Sequence, residues 1–354
     1  MKVLINGNLS AKQHTTSWVP FWVDYCEKNH IDYDVVNLFA VDDIVETLKN
    51  YDILLWHFGQ YGWQDMLFAR NIFYTAQLMG VKTFPGFDEA WHFDDKAAEM
   101  LAFEAINAPI PKSFLFFNKE KIREALDRGL LTFPIVAKLR TGSGSHNVKM
   151  IRSEGQLLSY ASRMFGKGFK ASPSLIYKTS SNVRSSHDWA TFKAKAKRAP
   201  EFFKVLKSAK QFPNEKGYVY LQEFIPNDGF DIKVVVVGDK LSYFVRPIRS
   251  HDFRASGGGE IYYDRSKITR QIIDSAFATA DALKLRCVGF DYVIDNTTGE
   301  GKIVEMSYGF SNQFIIGSGG YFNRQGEWID EPLNSPQELL KNMIAETKDK
   351  SLDY

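Results

Sequence analysis

The first 90 residues alternate short apolar runs with amphipathic segments, and this alternation restricts the fold more than any other feature of the sequence. Alternating strands and helices are typical of a parallel sheet, in which a helix crosses over from each strand to the next. The predicted strands are KVLIN, YDVVNLF and DILLWHF, and the predicted helices cover 18–28, 42–49 and 64–79. Gly80 suits the left-handed residue that ends the last helix. The sequence therefore predicts a small βαβ domain over residues 1–90.

The length and composition indicate a soluble globular protein. A chain of 354 residues is too long for one compact core, so two or three domains are expected. Its 44% hydrophobic and 24% charged residues exclude the disordered and collagen-like classes. The start turns polar at Asn6, and no segment approaches the roughly 18 uninterrupted apolar residues of a membrane span. We therefore expect a cytoplasmic enzyme or binding protein that has no membrane partner.

Cysteine usage and charge narrow the class further. Cys26 and Cys287 lie far apart, which predicts neither a disulfide framework nor a structural zinc site. A net charge of +2 gives no general attraction for nucleic acid. The basic residues are nevertheless concentrated, because residues 163–216 carry 13 Lys/Arg against 3 Asp/Glu. We interpret 166–216, which has no strand pattern, as an insertion with one helix around 189–210. It is either a solvated basic surface or a lid that contacts an anionic acceptor.

A lysine and a glycine-rich turn lie together in the middle of the chain. Asp94 can cap a helix that ends at Asn107, and two apolar runs between 133 and 151 then flank RTGSGSHN as a predicted hairpin. Lys138 ends the first run. Glycines let backbone N–H groups close around phosphate oxygens, and a lysine adds a point charge. The Walker spacing is missing, so the segment is either a phosphate site of another kind or a plain hairpin turn.

Two carboxylates fall in neighbouring predicted strands near the end of the chain. Three strand-like runs over 218–248 are followed by the loop HDFRASGGGE, a predicted helix over 266–283, and the strands CVGFDYVID and GKIVEMS. A hairpin between the last two would place Asp291 and Glu305 side by side. Buried like charges repel unless a cation lies between them. They are therefore expected to bind Mg²⁺ or to be neutralised by Lys or Arg side chains.

The order of these features resembles the ATP-grasp superfamily, and specifically its carboxylate–amine ligases, such as the ribosomal-protein glutamate ligases and glutathione synthetases. The matching pieces are DDKAAEMLAFEAINAPIPKS, IVAKLRTGSGSHNV, LQEFIPNDGFDIKVVVVGDK, DFRASGGG, and GFDYVID with IVEMS. The resemblance covers about residues 85–320. It implies an α/β (α+β) ATP-grasp fold with a preceding domain over 1–90, an N-terminal subdomain (lid) over 91–225 that carries the insertion, and a C-terminal subdomain with the metal site over 226–354.

The resemblance also implies roles for individual residues in binding ATP. Lys96 and Lys138 would contact the phosphates from opposite sides, and residues 222–225 would form the hinge that meets the adenine edge. Two valines would pack the faces of the ring, an aspartate would hold the ribose, and a glycine loop would fold over the phosphates. The full implied set is Lys96, Val136, Lys138, Gly142, Ser143, Gly144, Gln222, Glu223, Phe224, Ile225, Asp231 and Val304.

The implied catalytic and metal-binding residues lie in the C-terminal third of the chain. Lys233, Arg246 and Arg254 would face the γ-phosphate and the acyl-phosphate intermediate, and the backbone of Ser256, Gly257 and Gly258 would stabilise the oxyanion. Arg246 stands in the apolar run YFVRP, so it needs a buried partner, either a phosphate or a structural carboxylate. Mg²⁺ (or Mn²⁺) would be held by Asp291, Glu305 and Ser307. The family usually has asparagine where Ser307 stands. Serine has a shorter reach, so a second metal is expected to bind poorly or through water, unless Asn312 substitutes.

The implied function is ATP-dependent ligation of a small-molecule or peptide carboxylate to an amine, through an acyl phosphate and with release of ADP and phosphate. An ATP-grasp small-molecule kinase and a non-catalytic ATP-binding regulatory protein are the alternatives, and Ser307 favours the second of them. Neither nucleic acid nor a membrane is an expected partner, and a homo-oligomer is left open. The aromatic residues Trp56, Tyr61, Trp63 and Trp91 are either substrate contacts or core filler.

Overall fold

The computed structural model describes residues 1–7, 17–57, 59, 63–142, 147–170, 213–248 and 260–349. The described residues form three main sheets. A fourth, two-stranded sheet lies where the basic insertion begins and ends. No helix in these ranges is long and apolar enough to cross a membrane.

The first sheet contains only parallel strands, as the alternation of the first 90 residues predicts. Its four strands are β1 (Lys2–Asn6), β2 (Asp32–Val36), β3 (Ile53–Leu55) and β4 (Lys82–Phe84), in the order β2-β1-β3-β4. Helices α1 (Val19–Lys28), α2 (Ile44–Leu48), α3 (Trp63–Leu78) and α4 (Phe87–Ala90) accompany it. Gly80 has a φ of +82° beyond the end of α3, as predicted. Strand β4 and helix α4 were not predicted, because they have only three and four residues and show no hydrophobic period.

The second sheet is antiparallel and lies between helices. It contains β5 (Ser113–Phe116), β6 (Ile135–Lys138), β7 (Val148–Ile151) and β10 (Val219–Glu223), in the order β5-β10-β6-β7. The predicted hairpin around the glycine-rich turn is therefore present as β6 and β7. Helices α5 (Lys96–Ala105), α6 (Lys119–Asp127) and α7 (Glu154–Met164) belong to this part of the chain.

The prediction that Asp94 caps α5 is wrong. The cap is Asp95, whose carboxylate accepts the N–H of Ala98 at 3.1 Å. Asp94 has a left-handed φ of +56° and accepts the N–H of Gly142 at 2.8 Å instead. Two consecutive aspartates offer two possible caps, and the tertiary contact with the glycine loop selects the second.

The prediction that the basic insertion lacks strands is also wrong at its two ends. Strand β8 (Phe169–Lys170) pairs in antiparallel register with β9 (Asn214–Glu215). The two strands bring the start and the end of the insertion together, and Gly168 beside them has a left-handed φ of +71°. The remainder, 171–212 with the helix predicted around 189–210, lies outside the described residues.

The third sheet has six strands. They are β11 (Phe230–Val237), β12 (Lys240–Pro247), β13 (Cys287–Ile294), β14 (Gly301–Ser307), β15 (Tyr321–Phe322) and β16 (Trp328–Ile329), in the order β14-β13-β11-β12-β15-β16. Helices α8 (Arg270–Ala282), α9 (Asn312–Ile316) and α10 (Ser335–Asp349) complete the chain. The predicted helix from residue 266 is divided: Arg265–Lys267 forms a 3₁₀ turn, and α8 starts after Thr269, whose hydroxyl accepts the N–H of Ile272.

The parallel sheet and the six-stranded sheet share one apolar core. Trp18 stacks on Phe84 with ring centroids 5.9 Å apart, and it contacts Phe310 from the C-terminal part of the chain. The indole N–H of Trp22 donates to the carbonyl of Pro336 at the start of α10. The packing of α10 against α1 thus fixes the position of the parallel sheet relative to the six-stranded sheet.

Candidate active site

The hairpin of β13 and β14 pairs Asp291 with Glu305 directly, as predicted. Residues that face each other in an antiparallel pair point to the same side of the sheet, so both carboxylates lie on one face. Each has its own cation. The Lys233 Nζ is 2.5 Å from Asp291 Oδ1, and the Lys96 Nζ is 3.3 Å from Glu305 Oε1. The neutralisation by lysine that the sequence left open is therefore the arrangement in this structure.

Asp291 and a second buried acid, Asp231, lie beside two basic side chains, Lys233 and Arg246. Arg246 donates two hydrogen bonds to Asp231, at 2.7 and 2.6 Å, and its Nη2 is 2.9 Å from Asp291 Oδ1. Burial raises the pKa of Asp231. Although burial opposes it, the charges of Arg246 and Lys233 hold the pKa of Asp291 below its usual range. The sequence allowed either a phosphate or a carboxylate as the partner of Arg246, and in this structure its partners are carboxylates. The contacts of Asp231 with ribose and of Arg246 with phosphate stay predictions.

Lys96 is the first residue of α5 and is almost fully buried. Its Nζ donates to the carbonyl oxygen of Gly142 at 2.6 Å, and also to Glu305. Burial alone would lower the pKa of Lys96, but the charges of Glu305, Asp94 and Glu99 raise it above its ordinary value. Lys96 therefore carries a fixed positive charge between the Glu305 carboxylate and Gly142, the first glycine of the loop.

Glu99 is a member of this site that the sequence analysis missed. It is 3% exposed, and its Oε2 accepts the N–H of Met306 at 3.1 Å, one residue beyond Glu305. Burial, together with the charge of Glu305, raises the pKa of Glu99 well above its ordinary value. The sequence signal that could have identified Glu99 is its position three residues after Lys96, which puts both side chains on one face of α5.

Lys138 approaches from the second sheet, at the end of β6. Its Nζ donates to the side-chain oxygen of Gln222 at 2.6 Å and to the carbonyl of Val304 at 3.3 Å. Burial is the main cause that lowers the pKa of Lys138 to about 8. The charge of Lys96 acts in the same direction, and the charge of Glu305 opposes it. Two of the implied ATP-binding residues thus already contact this lysine.

A narrow cavity lies between α5 and the strands β10 and β14. Its walls bring together several implied nucleotide contacts and the apolar side chains beside them. It is lined by Lys96, Glu99, Met100, Phe103, Ile110, Tyr220, Gln222, Ile303 and Val304. Val136 is buried on β6, opposite Gln222 in the register of the sheet. In the implied hinge, Glu223 is exposed and Ile225 is buried.

Two of the implied metal ligands fit a magnesium ion, and the suggested alternative to Ser307 does not. Asp291 and Glu305 supply oxygen atoms on one sheet face, the donor chemistry that Mg²⁺ prefers. The hydroxyl of Ser307 accepts the N–H of Gly309 at 2.9 Å. Asn312 is wrong as a substitute ligand, because its side chain donates to Asn334 and accepts the N–H of Ser335, which holds the start of α10. Within the described ranges, no three His, Cys, Asp or Glu residues are grouped so as to hold a metal.

Several predicted residues lie outside the part of the chain that the structure describes. They are Ser143, Gly144, Arg254, Ser256, Gly257 and Gly258, together with Tyr61 and the side chain of Trp63. Gly142 lies at the start of the loop with a φ of +115°, a conformation that favours glycine. Trp56 packs between Phe39 and Phe73 and is core filler, whereas Trp91 is 43% exposed.

The similarity of this chain to known proteins lies in structure alone. No model of a known protein family matches it, and neither does any curated protein. The D-cycloserine synthetase DcsG has a TM-score of 0.56 at 11% identity, over 96% of this chain and 99% of that one. The ATP-grasp ligase PsnB, solved with precursor peptide PsnA2 and AMPPNP, has a TM-score of 0.53 at 12% identity, over 98% of each chain.

A third similar structure is the D-alanine–D-alanine ligase from Bacillus anthracis complexed with ATP. Its TM-score is 0.53 at 13% identity, over 90% of this chain and 91% of that chain. All three alignments run through most of both chains. The protein has the ATP-grasp fold, as its sequence motifs predict.

Proposed function

We propose that this protein is an ATP-dependent ligase that joins a carboxylate to an amine. One observation carries the proposal: Lys96 from α5 and Lys138 from β6 converge on residues 304–305 of β14, beside the buried carboxylate of Asp291. Buried lysines at the edge of a glycine-rich loop suit the phosphates of ATP. The ligases and the synthetase that share this fold support the proposal.

The proposed reaction has two steps, and neither of them forms a covalent bond to the enzyme. The substrate carboxylate attacks the γ-phosphorus, the bond to the β-phosphate oxygen breaks, and ADP leaves. The amine then attacks the acyl carbon, phosphate leaves, and the nitrogen loses a proton to solvent. Phosphoryl transfer asks mainly for positioning and charge stabilisation.

The chain's own residues would supply that positioning. Lys96 and Lys138 would orient the phosphates and offset their charge, and Arg246 and Lys233 would face the transferred group. The oxygen atoms of Asp291 and Glu305 would hold Mg²⁺, which supplies charge neutralisation when bound. Binding of the ion at these oxygens competes with their present pairing to Lys233 and Lys96. The arrangement therefore fits a site whose lysines can exchange a carboxylate partner for a phosphate.

The organisation into three parts is also proposed. Each of the ranges 1–90, 91–225 and 226–354 holds one of the three main sheets, which supports a preceding domain followed by two subdomains.

The substrates are proposed to be amino acids or peptides in a cytoplasmic setting. Two observations support this class of substrate: PsnB was solved with a precursor peptide, and another of the similar structures is a D-alanine–D-alanine ligase.

The test is ADP release with Mg²⁺ and ATP against a panel of carboxylates and amines. A ligase gives release that requires both a carboxylate and an amine, together with an amide product. Release with a hydroxyl compound alone would identify a kinase, and nucleotide binding without turnover would identify a regulatory protein. Glu305→Gln should abolish the release, whereas Glu300→Gln, an exposed carboxylate on the turn between β13 and β14, should leave it unchanged.

A further inference from the structure

The solvent side of α3 is apolar to an unusual degree. Leu67, Phe68, Tyr74 and Leu78 are exposed by 56, 46, 52 and 71%. We define the α3 stripe as Leu67, Asn71, Tyr74 and Leu78, which lie at spacings of four, three and four residues. This spacing places the four side chains within one narrow band along the helix.

The exposed face of α3 also has no charged side chain. Its exposed residues with described side chains are Gln64, Leu67, Phe68, Asn71, Tyr74, Gln77 and Leu78. The two charged residues of the helix are used elsewhere: Asp65 is buried, and Arg70 donates to the carbonyls of Met66, Ala90 and Phe93. In contrast, the exposed residues of α6 are all charged, namely Glu120, Lys121, Arg123, Glu124 and Asp127. Depletion of charge with enrichment of aromatic side chains is typical of the centre of a protein interface.

The neighbouring helix α4 extends the apolar surface. Its residue Phe87 packs on Tyr74, with ring centroids 5.3 Å apart, and Trp91 directly follows the helix. The α3 helix has 16 residues, a length of about 24 Å. The surface is therefore long enough for a helix to lie along it, with aromatic side chains on one flank.

The spacing of the α3 stripe identifies its occupant. The stripe is symmetric about a point between residues 72 and 73. If a second α3 runs antiparallel across this point, Leu67 meets Leu78 of the other copy and Asn71 meets Tyr74 of the other copy. A two-fold axis requires such a self-complementary patch. An acidic or a basic partner would find no opposite charge on this face, whereas a second copy of the same face is also uncharged and apolar. We propose that α3 forms the centre of a homodimer in which two copies of the α3 stripe pack antiparallel.

The test uses the antiparallel pairing itself. Sedimentation equilibrium of the full chain at micromolar concentration should give the mass of two chains. Leu67→Lys alone, and Leu78→Glu alone, should each weaken the dimer at least about tenfold, because each places two uncompensated charges in the apolar interface. The double variant with Leu67→Lys and Leu78→Glu should recover the dimer and lose it again at high salt, because each lysine then faces a glutamate.

Two controls separate dimer contacts from folding. Phe117→Lys changes a residue that is 68% exposed outside the stripe, and it should leave the mass at two chains. All variants should keep the unfolding midpoint of the isolated chain measured at high dilution. A wild type that stays monomeric at high concentration, or a double variant that is no more dimeric than its two parents, would overturn the proposal. Neither readout depends on ligase activity.

Discussion

Lys138 combines burial with a lowered pKa, and both properties make its contribution measurable. Its Nζ donates to Gln222 and to the carbonyl of Val304. The carboxylates that act on its charge, those of Glu305, Glu99 and Asp291, are not among these hydrogen-bond partners. Lys138→Ala is expected to weaken ATP binding at least about tenfold, the ~1.4 kcal/mol of one charge-assisted contact to phosphate. Calorimetric titration with ATP checks this result, with Lys121→Ala on the exposed face of α6 as the matched control. Equal affinities in the two variants would place the phosphates elsewhere.

His92 makes stability depend on pH. It is 4% exposed, and neither ring nitrogen has a hydrogen-bond partner among the described residues. Burial, together with the charge of the nearby Arg70, lowers its pKa to about 4. In the unfolded chain histidine binds its proton near pH 6.5. Because the unfolded state then binds more protons than the native state, stability must fall as the pH drops from about 6.5 to 4.

The size of this effect follows from the two pKa values. Because of His92, the free energy of unfolding of the wild type should fall by up to roughly 3 kcal/mol between pH 7 and pH 4, and the His92→Gln variant should not show this fall. The measurement is urea unfolding of wild type and variant at both values, compared as a difference so that other titrating groups cancel. His30→Asn, at an exposed site, is the control and should keep the wild-type slope. A His92→Gln variant with the same pH dependence as the wild type would show that His92 does not carry this term.

Helix α5 illustrates how far sequence reasoning reaches at the scale of an element. Its apolar spacing and the lysine at its start were predictable, because both are local. The choice of Asp95 over Asp94 as its cap depends on Gly142, 48 residues from Asp94. The role of Glu99 depends on a strand that lies 207 residues away. In the same way, the β13–β14 hairpin and its carboxylate pair were predictable from alternation and a short turn, whereas the cations that neutralise them come from three other elements.

Glu99 connects α5 to the edge of β14, and its chemistry can be tested apart from catalysis. Glu99→Gln retains an oxygen acceptor for the Met306 N–H. We expect this variant to unfold within about 1 kcal/mol of the wild type. Glu99→Ala should cost a further 1–3 kcal/mol or thereabouts, because it leaves a buried N–H without an acceptor. Urea unfolding of both variants checks the difference, and equal costs would contradict it.

At the scale of the whole molecule, Arg286 ties the parallel sheet to the six-stranded sheet. Its backbone N–H and Nε donate to Glu89 Oε1 at 2.8 and 3.2 Å, and its Nη2 reaches Glu89 Oε2 and the carbonyl of Thr83, both at 2.5 Å. Glu89 is 4% exposed and also accepts the N–H of Gly86. The contact therefore joins α4 and β4 of the first 90 residues to the start of β13.

This contact is expected to decide whether the molecule unfolds in one transition. Arg286→Met leaves the buried Glu89 without its cation and should cost about 3–5 kcal/mol, as broken buried ion pairs do. Glu89→Gln should cost less, because it leaves no buried carboxylate without a cation. Its single amide oxygen can accept only one of the two backbone N–H groups, that of Arg286 on Oε1 or that of Gly86 on Oε2. The double variant should be more stable than the sum of the two single losses predicts, since contacting residues couple.

The measurement is urea unfolding followed by two probes, tryptophan fluorescence and limited proteolysis. Trp18, Trp22 and Trp56 lie in the N-terminal part of the shared core, whereas Trp328 lies on β16. With Trp189 and Trp328 replaced by Phe in every chain compared, fluorescence reports on the N-terminal part, while proteolytic fragments report on the rest. In the wild type both probes should change together, because α1 and α10 pack on one core. In Arg286→Met the fluorescence transition should come first, as the parallel sheet separates from the larger sheet before that sheet unfolds. Coincident transitions in this variant would assign the coupling to the apolar core and leave the ion pair without a role in it.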